Sequence, residues 1–230
     1  MGCDLMMKAL KLKIYQEMAC YKKPFALKVA ETYPLPPYST IKGFLHYILK
    51  AQNYIDMAIS VQGDYEDKFV NLQTYYFFKG KEVTKAPLNV HYLHNVNLII
   101  HIYANENILN NIYENVYSSK EFFSIGRRED IARIDEIKLV EFKQLDLFEE
   151  MSSFDLNYSA YIPKFYGYEG ITGINYSLNY KYEIKNNLRE WEKINVIYAE
   201  KESNSITNGK VYVDEEEDII FFNKEIEGLS

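Results

Sequence analysis

Two short segments of this 230-residue chain combine residue types that bind anions, and four histidines invite a search for catalysis. The first segment is Phe122-Phe123-Ser124-Ile125-Gly126-Arg127-Arg128-Glu129-Asp130. A glycine before two arginines lets the backbone approach a phosphate while the guanidiniums grip it bidentately. Asp130 is placed to orient an arginine, and the plainer reading is a loop whose arginines pair with Glu129, Asp130 or Asp135. The second segment, Tyr33 to Gly43, delivers Ser39, Thr40 and Lys42 to the start of a helix, where free N–H groups favour an anion. Its plainer reading is a rigid loop followed by a capped helix with Lys42 exposed.

The histidines, His46, His91, His94 and His101, make a weaker case. His91 and His94 are three apart, a spacing that suits a metal on a helix but puts the two on opposite sides of a strand. No Cys or carboxylate cluster with ligand spacing lies near them, so neither metal nor cofactor is expected. No Walker loop, dinucleotide fingerprint, nucleophile elbow or HExxH is present.

The elements that must position these residues follow from periodicity. Leu10 to Tyr15 alternates apolar and polar residues as a half-buried strand does. The prolines at 34, 36 and 37 force an extended approach, after which Ser39 or Thr40 caps a helix near 39–51 marked by Ile41, Phe44, Leu45, Ile48 and Leu49. Residues 55–62 and 69–79 read as strands around a Gly63-Asp64 turn. Residues 81–92 read as an exposed, partly basic excursion, and Asn97 to Ala104 as a buried strand. Ile108, Leu109, Ile112, Tyr113 and Val116 mark a second helix, and Ile137 to Phe142 another strand.

That order is α+β and approaches a ferredoxin-like domain over residues 1–143, in which two helices cover one face of an antiparallel sheet and the open face serves as an RNA platform. The glycine and aromatic signature of an ordinary RRM is absent. Residues 144–230 read as a smaller β-rich subdomain of short aromatic strands with an acid run from Asp214 to Asp218.

Composition bounds the rest. Net charge is −7, but residues 1–143 carry 18 Lys and Arg against 16 Asp and Glu, whereas residues 144–230 carry 8 against 17. Any nucleic-acid surface is therefore expected in the first part. The 22 tyrosines suit base stacking, although Tyr, Asn, Ile and Lys also share AT-rich codons. Cys3 and Cys20 cannot build a disulfide framework and fit a reducing compartment. No apolar run spans a bilayer, and the opening residues lack the core of a signal peptide, so a cytoplasmic protein without membrane contact is expected.

The two segments together carry a resemblance. Tyr33-Pro34-Leu35-Pro36-Pro37-Tyr38-Ser39-Thr40-Ile41-Lys42-Gly43 resembles the YPxPPxSTxxG stretch near the start of the CRISPR-associated Cas proteins of the fifth family, and Ser124 to Asp130 resembles that family's LGRxED loop. The likeness covers roughly residues 8–143 and looks most like the type I-B branch. It implies a protein of the RAMP superfamily with a ferredoxin-like (RRM-like) N-terminal domain and a variable C-terminal β part. It further implies a non-catalytic subunit of the Cascade surveillance complex in antiviral defence. Such a subunit holds the repeat-derived 5′ handle of crRNA, touches the large and backbone subunits, and meets target DNA only through the complex. Carried onto this chain, Gly126, Arg127 and Arg128 become handle contacts, joined by Ser39, Thr40 and Lys42. The resemblance also assigns the excursion near 79–92 to a projecting hairpin that engages a backbone subunit. The alternative is a crRNA-processing endoribonuclease that cuts repeat RNA without metal, as in the I-C branch, where Tyr, Lys and His act together. No adjacent Lys-His pair occurs here, which counts against it.

Overall fold

The structure, a computed structural model, describes residues 7–24, 29–150 and 153–226, so Cys3 lies outside the described residues. Its centre is four antiparallel strands. β1 (Met7–Ala19) pairs with β5 (Glu82–Tyr103) on one side, from Leu10↔Ile102 to Ala19↔Leu93, and with β7 (Ile131–Asp146) on the other. β3 (Ala58–Asp64) pairs with β5 to give the order β3-β5-β1-β7. The alternation expected for residues 10–15 is realised, since Leu10, Leu12 and Ile14 point into one core. Helix α1 (Tyr38–Ile48) follows β1 and helix α2 (Glu106–Ser118) follows β5. Their apolar stripes, including Ile41, Leu45, Ile48, Leu109 and Ile112, close that core. Each such side chain contributes about 1.5–3 kcal/mol by leaving water.

Two boundaries differ from expectation. The α1 cap is Pro37, and neither Ser39 nor Thr40 caps through its side chain. The Pro37 ring fixes φ at −59°, and its carbonyl accepts the N–H groups of Thr40 and Ile41 at 2.9 and 3.2 Å, so the helix starts before either hydroxyl is reached. The expected Gly63-Asp64 turn lies within β3. Gly63 sits so close to the Asn97 carbonyl that a Cβ would collide with it, and the chain reverses just beyond, at Tyr65-Glu66.

Five later strands extend both edges of the same sheet. At the β3 edge lie β9 (Ala160–Pro163), β11 (Leu188–Ala199) and β10 (Ile174–Lys185). At the β7 edge lie β13 (Lys210–Asp214) and β14 (Ile219–Ile220). β10 also packs on α1, with Tyr176 edge-on to Tyr33 at 5.4 Å.

The face opposite the helices is covered. Residues 214–223 lie across it: Phe221 N–H donates to Ser60 Oγ at 3.0 Å, Ile59 N–H to Asn223 Oδ1 at 2.9 Å, and Gln62 Nε2 to the Ile219 carbonyl at 2.5 Å. The acid run sits here over the fully buried Lys11, whose Nζ lies 2.7 Å from Asp214, 2.7 Å from Glu216 and 2.5 Å from Asp218. These three carboxylates converge as metal ligands do, but the ammonium occupies their centre. His101 adds a 3.1 Å contact to Asp214. The face expected to be open is therefore largely occupied by this carboxylate-rich segment, which leaves Tyr15 and Asn97 at one end uncovered.

β4 (Asp67–Lys79) and β5 form a long hairpin paired from Asp67↔His94 to Lys79↔Glu82 and turned at Gly80, whose φ is +62°. Thirteen residues at ~3.3 Å each make a projection of about 40 Å. The expected excursion over 81–92 is thus the outer half of one 22-residue strand. Only its root is packed, where Phe69 stacks on Tyr92 at 5.5 Å. Farther out, Tyr75, Tyr76, Phe77 and Phe78 are exposed. Among the described residues no helix is long and apolar enough to cross a membrane.

Candidate functional site

The glycine-arginine loop is built around one buried carboxylate. β6 (Phe123–Ser124) pairs with the start of β7, and between them the chain turns tightly, with Ile125 N–H donating to the Asp130 carbonyl at 3.1 Å. Gly126 takes φ = +103°, and a Cβ there would lie 2.9 Å from Asp130 Oδ2 and 3.3 Å from the Cys20 carbonyl. No other residue fits without strain. Asp130, 2% exposed, accepts the N–H groups of Cys20 and Arg127, each at 3.0 Å. Behind it, Gln16 Nε2 donates to the carbonyls of Ile125 and Asp130 at 2.9 and 3.0 Å, and Tyr21 Oη donates to Gln16 Oε1 at 2.7 Å.

The two arginines have different jobs. Arg127 binds Asp130 bidentately, Nη2 to Oδ1 at 2.5 Å and Nε to Oδ2 at 3.1 Å. It lies over the Tyr92 ring at 4.7 Å and donates to Tyr92 Oη at 3.0 Å. Burial opposes its charge, but the hydrogen bonds to Asp130 and Tyr92 outweigh that and raise its pKa. Arg127 is a strut from the loop to the hairpin root, with its donors already engaged. Arg128 is exposed and makes no hydrogen bond or ion pair with any described residue.

Arg128 faces a groove of about 740 Å³ that brings the two sequence motifs together. From α1 it takes Ser39, Thr40, Gly43 and Tyr47, one face of the helix by spacing; from the loop it takes Glu121, Phe122, Ser124, Gly126 and Arg128. Sequence reasoning missed Tyr47 and Glu121. Tyr47 stands one turn beyond Gly43 on the Thr40 face, a signal that helical spacing carries.

Lys42 is elsewhere. It is 4% exposed, with its Nζ 3.6 Å from the Tyr180 ring centre and 4.5 Å from that of Tyr54, and it donates to Tyr54 Oη at 2.9 Å. The expected anion contact is not available to it, because α1 turns position 42 toward β10 rather than the groove. Burial lowers its pKa from 10.5 to about 7. The unfolded chain therefore holds this proton more tightly than the folded one between pH 7 and 10.5. Stability should rise with pH through that window, by at most ~1.4 kcal/mol per pH unit. Lys42→Met should flatten that rise in urea titrations at pH 7, 8 and 9; an unchanged slope would show that the proton sits elsewhere.

The four histidines do not converge on one site, and Nδ1 of His91 and of His101 is buried without a hydrogen-bond partner among the described residues. His46 Nε2 accepts Ile55 N–H at 3.1 Å, and burial lowers the pKa of both His46 and His101. His91 and His94 lie on β5 opposite Val70 and Asp67, three apart on a strand and so on opposite faces.

With this geometry in place, comparison with known proteins is informative. Residues 9–191 match the family model of the CRISPR-associated protein (Cas_Cas5). The chain belongs to that family. Both motifs lie inside the matched span, as does the hairpin between them. Among solved structures, a chain of a "CRISPR RNA-guided surveillance complex" superposes with a TM-score of 0.56 at 14% identity, covering 84% of this chain and 90% of its own. A "CRISPR protein from Archaeoglobus fulgidus" superposes at 0.50 with 12% identity, covering 96% of this chain and all of its own. No curated protein sequence matches this chain as a relative. At these identities the superpositions show a shared fold: a predominantly β structure flanked by two principal helices.

Proposed function

We propose that this Cas5-family protein is a non-catalytic subunit of a type I CRISPR surveillance complex that holds the repeat-derived 5′ handle of crRNA in the groove between α1 and the Gly126 loop. The observation that carries the reading is Arg128: an exposed guanidinium with no protein partner among the described residues, facing a groove where both motifs meet. The superposed "CRISPR RNA-guided surveillance complex" chain supports the setting. Residues 1–143 form the ferredoxin-like unit on this reading, supported by the order β3-β5-β1-β7 with a helix after β1 and another after β5. The exposed aromatic β4–β5 hairpin suits a neighbouring backbone subunit, and the β-rich edges suit the large subunit.

The lining of this groove contains neither histidine nor lysine, and His46, Lys50 and Lys120 line the adjoining cavity that shares Gly43, Tyr47 and Glu121 with it. One observation favours the alternative, a metal-independent endoribonuclease. Lys42, Tyr54 and His46 meet, with the His46 and Tyr54 rings 6.2 Å apart. Against it, Lys42 is sealed beneath two tyrosines and His46 Nε2 already accepts the Ile55 N–H, which supports the holding role.

The test is a labelled repeat RNA containing the handle, mixed with protein at about 150 mM salt without metal. The expected result is binding with intact RNA, weakened about tenfold by Arg128→Ala, since one charge-assisted contact is worth about 1.5–3 kcal/mol. Unchanged affinity in that variant would remove the groove from the reading, and a discrete cut would overturn the non-catalytic role.

A further inference from the structure

The groove contains a group that phosphate binding does not explain. Its lining holds two charged side chains, Arg128 and Glu121. The first attracts a phosphate, whereas the second repels it and is an acceptor suited to hydrogen-bond donors on whatever occupies the groove. Glu121 is held in place. Its N–H donates to Ser119 Oγ at 3.2 Å, and its Oε2 accepts Tyr47 Oη–H at 2.5 Å across the groove. That bond raises the Tyr47 pKa, so the phenol stays protonated and donating. Oε1 has no partner among the described residues. Two rings share the groove lining with this carboxylate: Tyr47, 56% exposed, and Phe122, 88% exposed. An apolar ring that exposed at the wall of a polar groove is a surface on which a base can stack.

Resting on the reading that this groove binds single-stranded RNA, we propose that Glu121 selects the base, accepting hydrogen bonds from an unpaired nucleobase stacked against Phe122 or Tyr47. A carboxylate accepts only. Guanine offers it two adjacent donors, the N1–H and N2 amino group, and fits it bidentately. Adenine and cytosine each offer one amino group beside a ring acceptor. Uracil presents its single N–H between two carbonyls that a carboxylate repels. The order of preference is guanine first and uracil last. Tyr47 is a positioning residue whose hydroxyl occupies one lone pair of Oε2, leaving the other lone pair and Oε1 to accept from the base.

The experiment uses the full chain and eight-nucleotide RNAs, oligouridine and its variants with one guanosine, adenosine or cytidine at successive positions, read by anisotropy at about 150 mM salt. At its best position guanosine should tighten binding about tenfold over oligouridine. Glu121→Gln should bring that ratio within about twofold, and Tyr47→Phe should shrink it in the same direction. Binding that depends on Arg128 but is the same for all bases would overturn base selection while leaving the groove intact. Retention of the guanosine preference by Glu121→Gln would also overturn it. No binding of any RNA by the wild-type chain would bring down the groove reading, and this inference with it.

Discussion

Lys11→Met is expected to destabilise the protein by about 3–5 kcal/mol, because it removes the buried ammonium that three converging carboxylates share in the middle of the sheet. For a chain of this size that is a fall in melting temperature of roughly 10 °C. The cluster is worth little as a net gain over an apolar core, since burying the three charges of Lys11, Asp214 and Asp218 is costly. Its asymmetry matters more: removing the cation leaves Asp214 and Asp218 buried with hydrogen bonds but no ammonium between them. The native cluster also fixes how acid unfolds the protein. Burial would raise the Asp214 pKa, but hydrogen bonds from His101 and Lys11 hold it well below the carboxylate range, and Lys11 with Lys138 holds Glu216 at about 2. Both folded-state values are depressed. Their stabilisation is therefore fully present above pH 4.5 and is lost as pH falls through the folded values. Urea unfolding at pH 7 and pH 3 tests both statements. A loss under about 1 kcal/mol at pH 7, or a variant as acid-sensitive as the wild type, would contradict them. Adding Asp214→Asn and Asp218→Asn to Lys11→Met should restore part of the loss.

That cluster also shows where reading the sequence stops. Asp214 to Asp218 stand out only as an acid run, and their partner lies 203 residues away for Asp214. No local pattern reports such a pairing, yet it decides which face of the sheet is free. The central strands and both helices are legible because each has one buried side, so Leu10 to Tyr15 alternates and Ile108 to Val116 repeats at helical spacing. The outer halves of β4 and β5 bury neither side, so Tyr75 to Phe78 show no alternation and the 22-residue strand reads as two pieces. The two motifs are legible as segments, and their meeting in one groove supports treating them together. Which residue in each faces that groove is not legible. Arg127 and Arg128 are adjacent and identical in type, and only the left-handed turn at Gly126 and the buried Asp130 assign one inward and one outward. Lys42 is likewise turned inward by helix phase against a strand, β10, that enters some 130 residues later.

Asp130→Ala is expected to cost about 2–4 kcal/mol and also to weaken RNA binding at least tenfold, although this side chain is buried behind the loop. Its carboxylate satisfies two backbone N–H groups and both ends of the Arg127 fork. Without it the guanidinium keeps Tyr92 and Glu129 but loses its buried partner, and Gly126 loses the reason for its strained conformation. Arg128 then hangs from a turn that no longer points it into the groove. The three variants separate by mechanism. Arg128→Ala should lower affinity with little change in melting temperature, since its exposed side chain makes no hydrogen bond or ion pair with any described residue. Arg127→Ala should lower melting temperature first and affinity as a consequence. Asp130→Ala should lower both the most, and an Asn substitution, which keeps an acceptor for the backbone N–H groups, should recover part of each. Thermal melts paired with anisotropy, measured well below the lowest melting temperature, place each variant on both axes. An Asp130→Ala protein that melts and binds like the wild type would mean the loop holds its shape without this carboxylate. Arg128 would then owe its aim to the β6–β7 pairing alone.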